Sequence, residues 1–214
     1  LLNLYTYFRS SAAYRVRIAL NIKQLDYRAI PIHLLRSGGE HRAPAYVAIN
    51  PQGLVPSLQH DAQILTQSLA IIEYLNDCFP TPALLPDTAL GRAQVRAMAL
   101  TIACDMHPLN NLRVLRHLQD LGVDEAARNE WYQRWIREGL ASIEQRISNN
   151  THSAPFCHGP TPTLADCCLV PQVYNALRFQ SPMDAYPTVM RVYRHCLTLK
   201  AFAAAAPEAQ PDHE

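Results

Sequence analysis

Tyr7-Phe8-Arg9-Ser10-Ser11-Ala12-Ala13-Tyr14-Arg15-Val16-Arg17-Ile18-Ala19-Leu20 sets a pair of hydroxyls where an apolar strand gives way to a helix. Leu2 to Phe8 is apolar and aromatic enough for a short strand, and Val16, Ala19 and Leu20 recur at helical spacing. Ser10 and Ser11 are strong N-cap residues, because a hydroxyl oxygen accepts from a first-turn N–H that the helix leaves without an acceptor. The same helix end carries roughly +0.5 of a charge and favours an anion, and a hydroxyl donor there stabilises a thiolate. Two readings of the segment stand: a capped strand–helix junction, or an anion or thiolate site.

Outward from this stretch, Tyr27 to Ile32 is β-rich and reads as a second strand. Ser37-Gly38-Gly39-Glu40-His41 is loop chemistry. Val55 to Leu58 and Gln63 to Leu65 form a candidate hairpin around His60-Asp61-Ala62. An apolar helix follows over Ala70 to Cys78, with Ser68 as its expected cap. The order is β-α-β, then β-β-α, and a strand, crossover helix and parallel strand make a right-handed unit.

Phe79-Pro80-Thr81-Pro82-Ala83-Leu84-Leu85-Pro86-Asp87 resists helix and suits an interdomain linker. Beyond Gly91 the pattern is almost wholly helical, over Arg92 to Leu121, Asp124 to Ile147, Leu164 to Phe179 and Pro187 to Phe202, with Pro108 expected to kink or break the first. From Pro207 the chain is polar and is expected to be irregular. Thr163-Leu164-Ala165-Asp166 is a capping box, a folding device in which Thr and Asp satisfy each other's backbone N–H groups. The expected class is therefore α/β plus all-α, with a mixed domain over 1–82, a linker over 83–90 and a helical domain over 91–214.

With 214 residues, 49% hydrophobic and 17% charged, the chain can bury a sizeable core in one large or two modest domains. A formal net charge of +1 gives no bulk electrostatic case for nucleic acid or a membrane surface. No apolar run approaches the roughly 20 residues of a spanning helix, and Arg9, Arg15 and Arg17 interrupt any secretory pattern. Cys78, Cys104, Cys157, Cys167, Cys168 and Cys196 include no Cys-x-x-Cys pair and read as reduced, mostly buried thiols of a cytoplasmic protein. Cys104 and His107 do not add up to a four-ligand metal set, so no metal is expected.

The α/β half, proline-rich linker and helical half resemble the cytosolic glutathione transferase family. That fold joins a thioredoxin-like glutathione-binding domain to a helical bundle. The capping box falls where the family has one, Val55-Pro56 resembles its cis-proline turn, and Gln67-Ser68 resembles its γ-glutamyl site. The match is sharpest with the zeta class, whose pattern resembles Ser10-Ser11 with Arg15 to Leu20, and Gln67 to Leu75. Leu169-Val170-Pro171-Gln172-Val173, Arg178-Phe179 and Gln210-Pro211-Asp212 extend it to both halves. One position departs: the class has Ser-Ser-Cys where this chain has Ser10-Ser11-Ala12, which argues against the reductive dehalogenation that needs that thiol.

Zeta members isomerise maleylacetoacetate or maleylpyruvate, with glutathione lending a thiolate that adds to the maleyl double bond, permits rotation and leaves unchanged. The resemblance implies glutathione contacts from Ser10, Ser11, Ala12, Arg15, His41, Gln52, Val55, Pro56, Gln67 and Ser68. It implies further contacts from His107, Asn111 and Arg113, and from Asp105 toward the neighbouring subunit of a homodimer. Ser10, Ser11 and Arg9 are the implied catalytic residues, and Arg9, Arg113 and Arg178 the implied binders of a dicarboxylate diketo acid. The expected reaction is maleylacetoacetate to fumarylacetoacetate in tyrosine and phenylalanine breakdown. The alternatives are maleylpyruvate isomerisation in the gentisate route, transfer chemistry on small α-halo acids, and a non-catalytic glutathione-binding module.

Overall fold

The computed structural model describes residues 1–149 and 154–214. They form two compact units, Leu1–Leu84 with Leu197–Glu214, and Leu85–Cys196.

In the first unit β1 (Leu2–Thr6) leads through α1 (Ser11–Ile22) to β2 (Tyr27–Pro31), which lies parallel to it. After a short α2 (Pro44–Val47) come β3 (Ser57–His60) and β4 (Gln63–Thr66), then α3 (Ser68–Cys78). The sheet order is β2-β1-β3-β4, with β3 antiparallel to both neighbours. Strand β1 stops at Thr6, short of the expected Phe8, because the Tyr7 and Phe8 carbonyls turn to the buried guanidinium of Arg17. Helix α1 is buried on nearly every side from Ala13 to Leu20, packing on α3 and on α9 (Lys200–Ala203). Its apolar spacing described only one of those faces. Burial of the Arg17 cation lowers its pKa to about 10.

The second unit is helical: α4 (Ala89–Leu100), α5 (Leu112–Asp120), α6 (Glu125–Ser148), α7 (Leu164–Arg178) and α8 (Pro187–Leu197). Helix α7 is buried from Leu164 to Val173, and its capping box is formed as expected. The Asp166 carboxylate accepts from Thr163 N at 2.7 Å, Thr163 Oγ1 at 2.8 Å and Cys157 N at 2.7 Å.

Several expectations are corrected. The mixed unit runs to Leu84, where Leu84 is fully buried and its N–H donates to Asn76 Oδ1. Residues 89–90 of the expected linker are already helix, because Thr88 Oγ1 accepts from Gly91 N at 3.1 Å and caps α4. The helical unit ends at Cys196 rather than 214. Residues 197–214 fold with the sheet unit, held by Arg17 on Ala205 O and Asn21 on Ala201 O, and the stretch beyond Pro207 is tied to the sheet unit by the bond from Phe8 N to Asp212 Oδ2. The expected helix over Arg92 to Leu121 is three pieces, with a π-helical turn over Thr101–Met106 and a break at Pro108. Pro187 to Phe202 is likewise divided into α8 and α9. Cys157, Cys167, Cys168 and Cys196 are buried, whereas Cys78 and Cys104 are exposed. Burial pushes the Cys157, Cys167 and Cys196 thiols up and keeps them protonated.

Candidate functional site

The first unit gathers most of the candidate residues around two helix starts. Ser10 N donates to Tyr7 O at 3.0 Å, closing the turn that carries Arg9, and Ser10 Oγ accepts from Ala13 N at 3.2 Å. Tyr14 N makes the first helical bond, to Ser10 O. Ser11 and Ala12 therefore present first-turn N–H groups with no acceptor within the helix. The first turn has no acidic residue to compete for them. The Ser10 hydroxyl uses one lone pair as a cap and keeps its O–H to donate. Ser11 is buried, Ala12 is half-buried and Arg9 is exposed, with its guanidinium 4.9 Å from the Phe8 ring centre.

Helix α3 supplies the second start, and it lacks the side-chain cap of the first. Gln67 occupies its N-cap position with φ 69° and ψ 114°, and its side chain makes no cap bond. Ser68 is thus the first helical residue, not the cap expected from its hydroxyl. A glutamine at positive φ is strained by of order 1–3 kcal/mol, and such residues cluster at ligand sites. Ser68 Oγ accepts from Nη1 of the buried Arg15 at 3.2 Å, which places a cation beneath a helix end that again lacks first-turn acids. Gln67 Nε2 donates to Gln52 Oε1 at 2.9 Å, so these two candidates meet directly.

Between the two starts lies the cis Val55-Pro56 bond, with both residues buried. Tyr7, Phe8, Tyr46 and Val55 share a small apolar core, packed by Tyr5, Ile32, Leu34 and Ile49. That core seats the Ser10 turn and the Val55 turn together. Asn50, unremarked in the sequence, brackets the approach to Val55: its Nδ2 donates to Leu54 O at 2.8 Å and its Oδ1 accepts from Gln52 N at 3.1 Å. The turn-forming run Asn50-Pro51-Gln52-Gly53 was the signal that could have found it. Tyr46 Oη adds a bond to Leu54 O at 2.7 Å, and burial pushes its pKa up. His41 is buried in a short helical turn, and Gly39 (φ 106°) must be glycine because a Cβ would sit 2.4 Å from the imidazole Cε1.

The remaining candidates belong to the second unit. Asp105 is exposed in the π-helical turn and His107 is half-buried just after it. Asn111 caps α5 by accepting from Arg113 N at 3.1 Å, and Arg113 is exposed in its first turn. Arg178 is exposed at the end of α7, 4.6 Å from the Phe179 ring centre, and Phe179 stacks on Tyr132 at 4.0 Å. Burial pushes the Tyr132 hydroxyl pKa up, against the pull of the Arg178 charge, so Tyr132 remains a neutral donor and acceptor. Among the described residues, no group of three His, Cys, Asp or Glu side chains could hold a metal ion. Nor, among them, is any helix long and apolar enough to cross a membrane.

A mixed four-stranded sheet in the order β2-β1-β3-β4, with a cis-proline turn leading into β3 and helices α1 and α3 beside it, defines a thioredoxin-like fold. The family model described as "Glutathione S-transferase, N-terminal domain" matches residues 4–83. The chain is 49% identical over 212 residues to a protein named maleylacetoacetate isomerase from Pseudomonas aeruginosa, covering 99% of this chain and 98% of that one. The structure is similar, with a TM-score of 0.96 and 47% identity, to the holo structure of a maleylpyruvate isomerase described as a bacterial zeta-class glutathione S-transferase. That match covers 99% of this chain and all of the other. A maleylacetoacetate isomerase from Methylobacterium extorquens AM1, solved with bound malonate and glutathione, matches with a TM-score of 0.94 and 38% identity over 99% of both chains. The chain belongs to the glutathione S-transferase family, in its zeta class.

Proposed function

We propose that this chain is a glutathione-dependent cis–trans isomerase that converts maleylacetoacetate to fumarylacetoacetate. The observation that carries the reading is the pair of helix starts, Ser10–Ser11 on α1 and Gln67–Ser68 on α3, with the cis Val55-Pro56 turn between them in sequence. The residues fit the tripeptide. The α3 start, with Arg15 behind Ser68, suits the γ-glutamyl carboxylate. The Val55 backbone suits the cysteinyl amide, while His41 and Gln52 suit the glycyl end.

Bound glutathione supplies a thiolate that adds to the maleyl double bond, making it single for long enough to rotate, and then departs. The chain's own part is to hold that sulfur charged at neutral pH, starting from a free-thiol pKa of about 8.5. Ser10 donates its hydroxyl proton, and the Ser11 and Ala12 N–H groups add the positive end of α1. Arg9, on the same turn, offers a guanidinium for a substrate carboxylate or for charge developing on a carbonyl. In the second unit, Arg178 is given the carboxylate-binding role, with Arg113 a further candidate. Asp105, His107 and Asn111 are assigned glutathione contacts by the family pattern.

A second reading, maleylpyruvate as substrate, is favoured by the 0.96 TM-score to a maleylpyruvate isomerase. The proposal extends to a cytoplasmic homodimer serving tyrosine and phenylalanine breakdown. Exposed Leu90, Ala93 and Leu100 on α4 support self-association, which sedimentation equilibrium would test. Ser10→Ala tests the mechanism. Loss of one well-aimed donor is expected to cost 10²–10³-fold in kcat (about 2.7–4 kcal/mol), with a raised pKa for the bound glutathione thiol. Unchanged turnover and thiol titration would remove Ser10 from the thiolate role.

A further inference from the structure

We propose that Asp212 is a positioning residue for the thiolate site, holding the Tyr7–Ser10 turn so that the Ser10 hydroxyl keeps its aim. This rests on the reading of the α1 start as the site of the glutathione sulfur. The turn is clamped from both sides. On one side, Arg17 donates to Tyr7 O at 3.3 Å and Phe8 O at 3.0 Å, and also to Thr6 Oγ1 and Ala205 O. On the other side the turn's central N–H, that of Phe8, has no strand to pair with. It donates instead to Asp212 Oδ2 at 3.0 Å, across 204 residues of sequence. A backbone donor bonded to a carboxylate is held more firmly than one bonded to a neutral oxygen.

The neighbours of Asp212 are arranged for this contact. Gln210 is nearly buried, and its Nε2 donates to Ala204 O at 3.0 Å and Ala206 O at 2.9 Å, shaping the bend that delivers Asp212. The His213 ring meets the Phe8 ring edge-on at 5.4 Å. Glu214 reaches Arg36 and the Nε2 of His33. His33 Nδ1 accepts from Leu35 N and Arg36 N, so Nε2 carries the ring proton and donates to Glu214. His33 packs edge-on against Tyr7 at 4.9 Å, and its backbone exchanges bonds with Glu40, the residue before His41. Residues 210–214 therefore brace both the turn that carries Ser10 and the loop that carries His41. The Asp212 charge also works against the burial that lowers the Arg17 pKa, favouring the charged clamp.

A catalytic donor must be held to within about half an ångström to retain its effect. Asp212→Ala removes the acceptor, and Asp212→Asn keeps an oxygen of the same shape. Asn21→Ala loosens the same segment far from the turn, where Asn21 Nδ2 donates to Ala201 O. The readouts are the titration of the bound glutathione thiol by its ultraviolet thiolate absorbance, kcat and KM, and thermal melting. Asp212→Ala is expected to raise the bound thiol's pKa and lower kcat about tenfold, with most of both restored in Asp212→Asn. Asn21→Ala is expected to lower the melting temperature and leave the thiol titration in place. If Asp212→Ala does not fold, Asp212→Glu displaces the acceptor while keeping the charge and carries the same comparison. A normal thiol titration and kcat in Asp212→Ala, or changes that merely track stability as in Asn21→Ala, would overturn the positioning role. A wild-type protein that fails to bind glutathione would instead overturn the reading beneath it.

Discussion

Arg15 Nη1 donates to Ser68 Oγ over 3.2 Å, and both side chains are buried. This bond ties the helix that starts with the serine pair to the helix start assigned the γ-glutamyl carboxylate, so the proposed thiolate site and the proposed γ-glutamyl site are coupled through one contact. Ser68→Ala removes an acceptor from a buried guanidinium, and a bond to a charged group is worth about 1.5–3 kcal/mol. A stability loss of that size in urea unfolding is expected, with glutathione affinity lowered at least tenfold by calorimetry. Affinity equal to wild type would separate this helix start from glutathione binding.

Gln67 holds φ at 69°, a conformation that glycine adopts without strain. Gln67→Gly is expected to be stability-neutral or to gain up to about 1 kcal/mol, because relief of strain offsets the greater freedom of the unfolded chain. Glutathione binding is expected to weaken in the same variant. A variant that is both clearly less stable and normal in binding would mean that the glutamine is there for the fold.

Gly139 on α6 faces Met106, and a Cβ there would sit 2.2 Å from the Met106 sulfur. Met106 is fully buried at the end of the π-helical turn that carries Asp105. Gly139→Ala is expected to lose about 1–3 kcal/mol through overpacking, less up to about 1 kcal/mol from better helix propensity. Adding Met106→Ala trades the clash for a smaller side chain, so a double-mutant cycle should return a large favourable coupling. Additive losses would contradict the contact.

Asp166 is fully buried, and burial pushes its carboxyl pKa above the ordinary 3.8 in spite of the backbone and hydroxyl bonds that pull it down. The folded state thus binds this proton more tightly than the unfolded state. The contribution is full below pH 3.8 and declines as pH rises through the folded-state value. Comparing wild type with Asp166→Asn by urea unfolding, the stability difference in favour of wild type is expected to shrink as pH increases from 3.8 toward neutrality. A difference that grows over that range would reverse the sign of the shift. Asp166→Ala, which strands the Cys157 and Thr163 N–H groups, is expected to cost about 3–5 kcal/mol at the acid end of this range, with the cost shrinking as pH rises in the same way as for Asp166→Asn.

Local chemistry was legible where it is written in adjacent residues. The Ser10 cap, the Thr163–Asp166 box and the proline-rich break each follow from a few neighbouring side chains. The family pattern added Gln52, Gln67 and Arg15, and no spacing rule contains the contacts of Gln67 with Gln52 and of Arg15 with Ser68. Three features lay outside both. The positive φ of Gln67 has no signal, because the residue types that announce such a backbone are glycine and asparagine. The π-helical turn over Thr101–Met106 ends at Met106, which packs against Gly139 in a tertiary contact that no local spacing contains. Residues 197–214 follow the helical unit in sequence yet fold with the sheet, since the bonds from Arg17 and to Asp212 span about two hundred positions.

The most direct test of the central claim is turnover of maleylacetoacetate and maleylpyruvate side by side, each with and without glutathione, following loss of the diketo absorbance with the matching fumaryl hydrolase in excess. The expected result is glutathione-dependent isomerisation with maleylacetoacetate preferred by more than about tenfold, or 1.4 kcal/mol in the barrier. Preference for maleylpyruvate would transfer the same mechanism to the second substrate. Equal turnover without glutathione, or none of either substrate by a protein that binds glutathione, would contradict the isomerase.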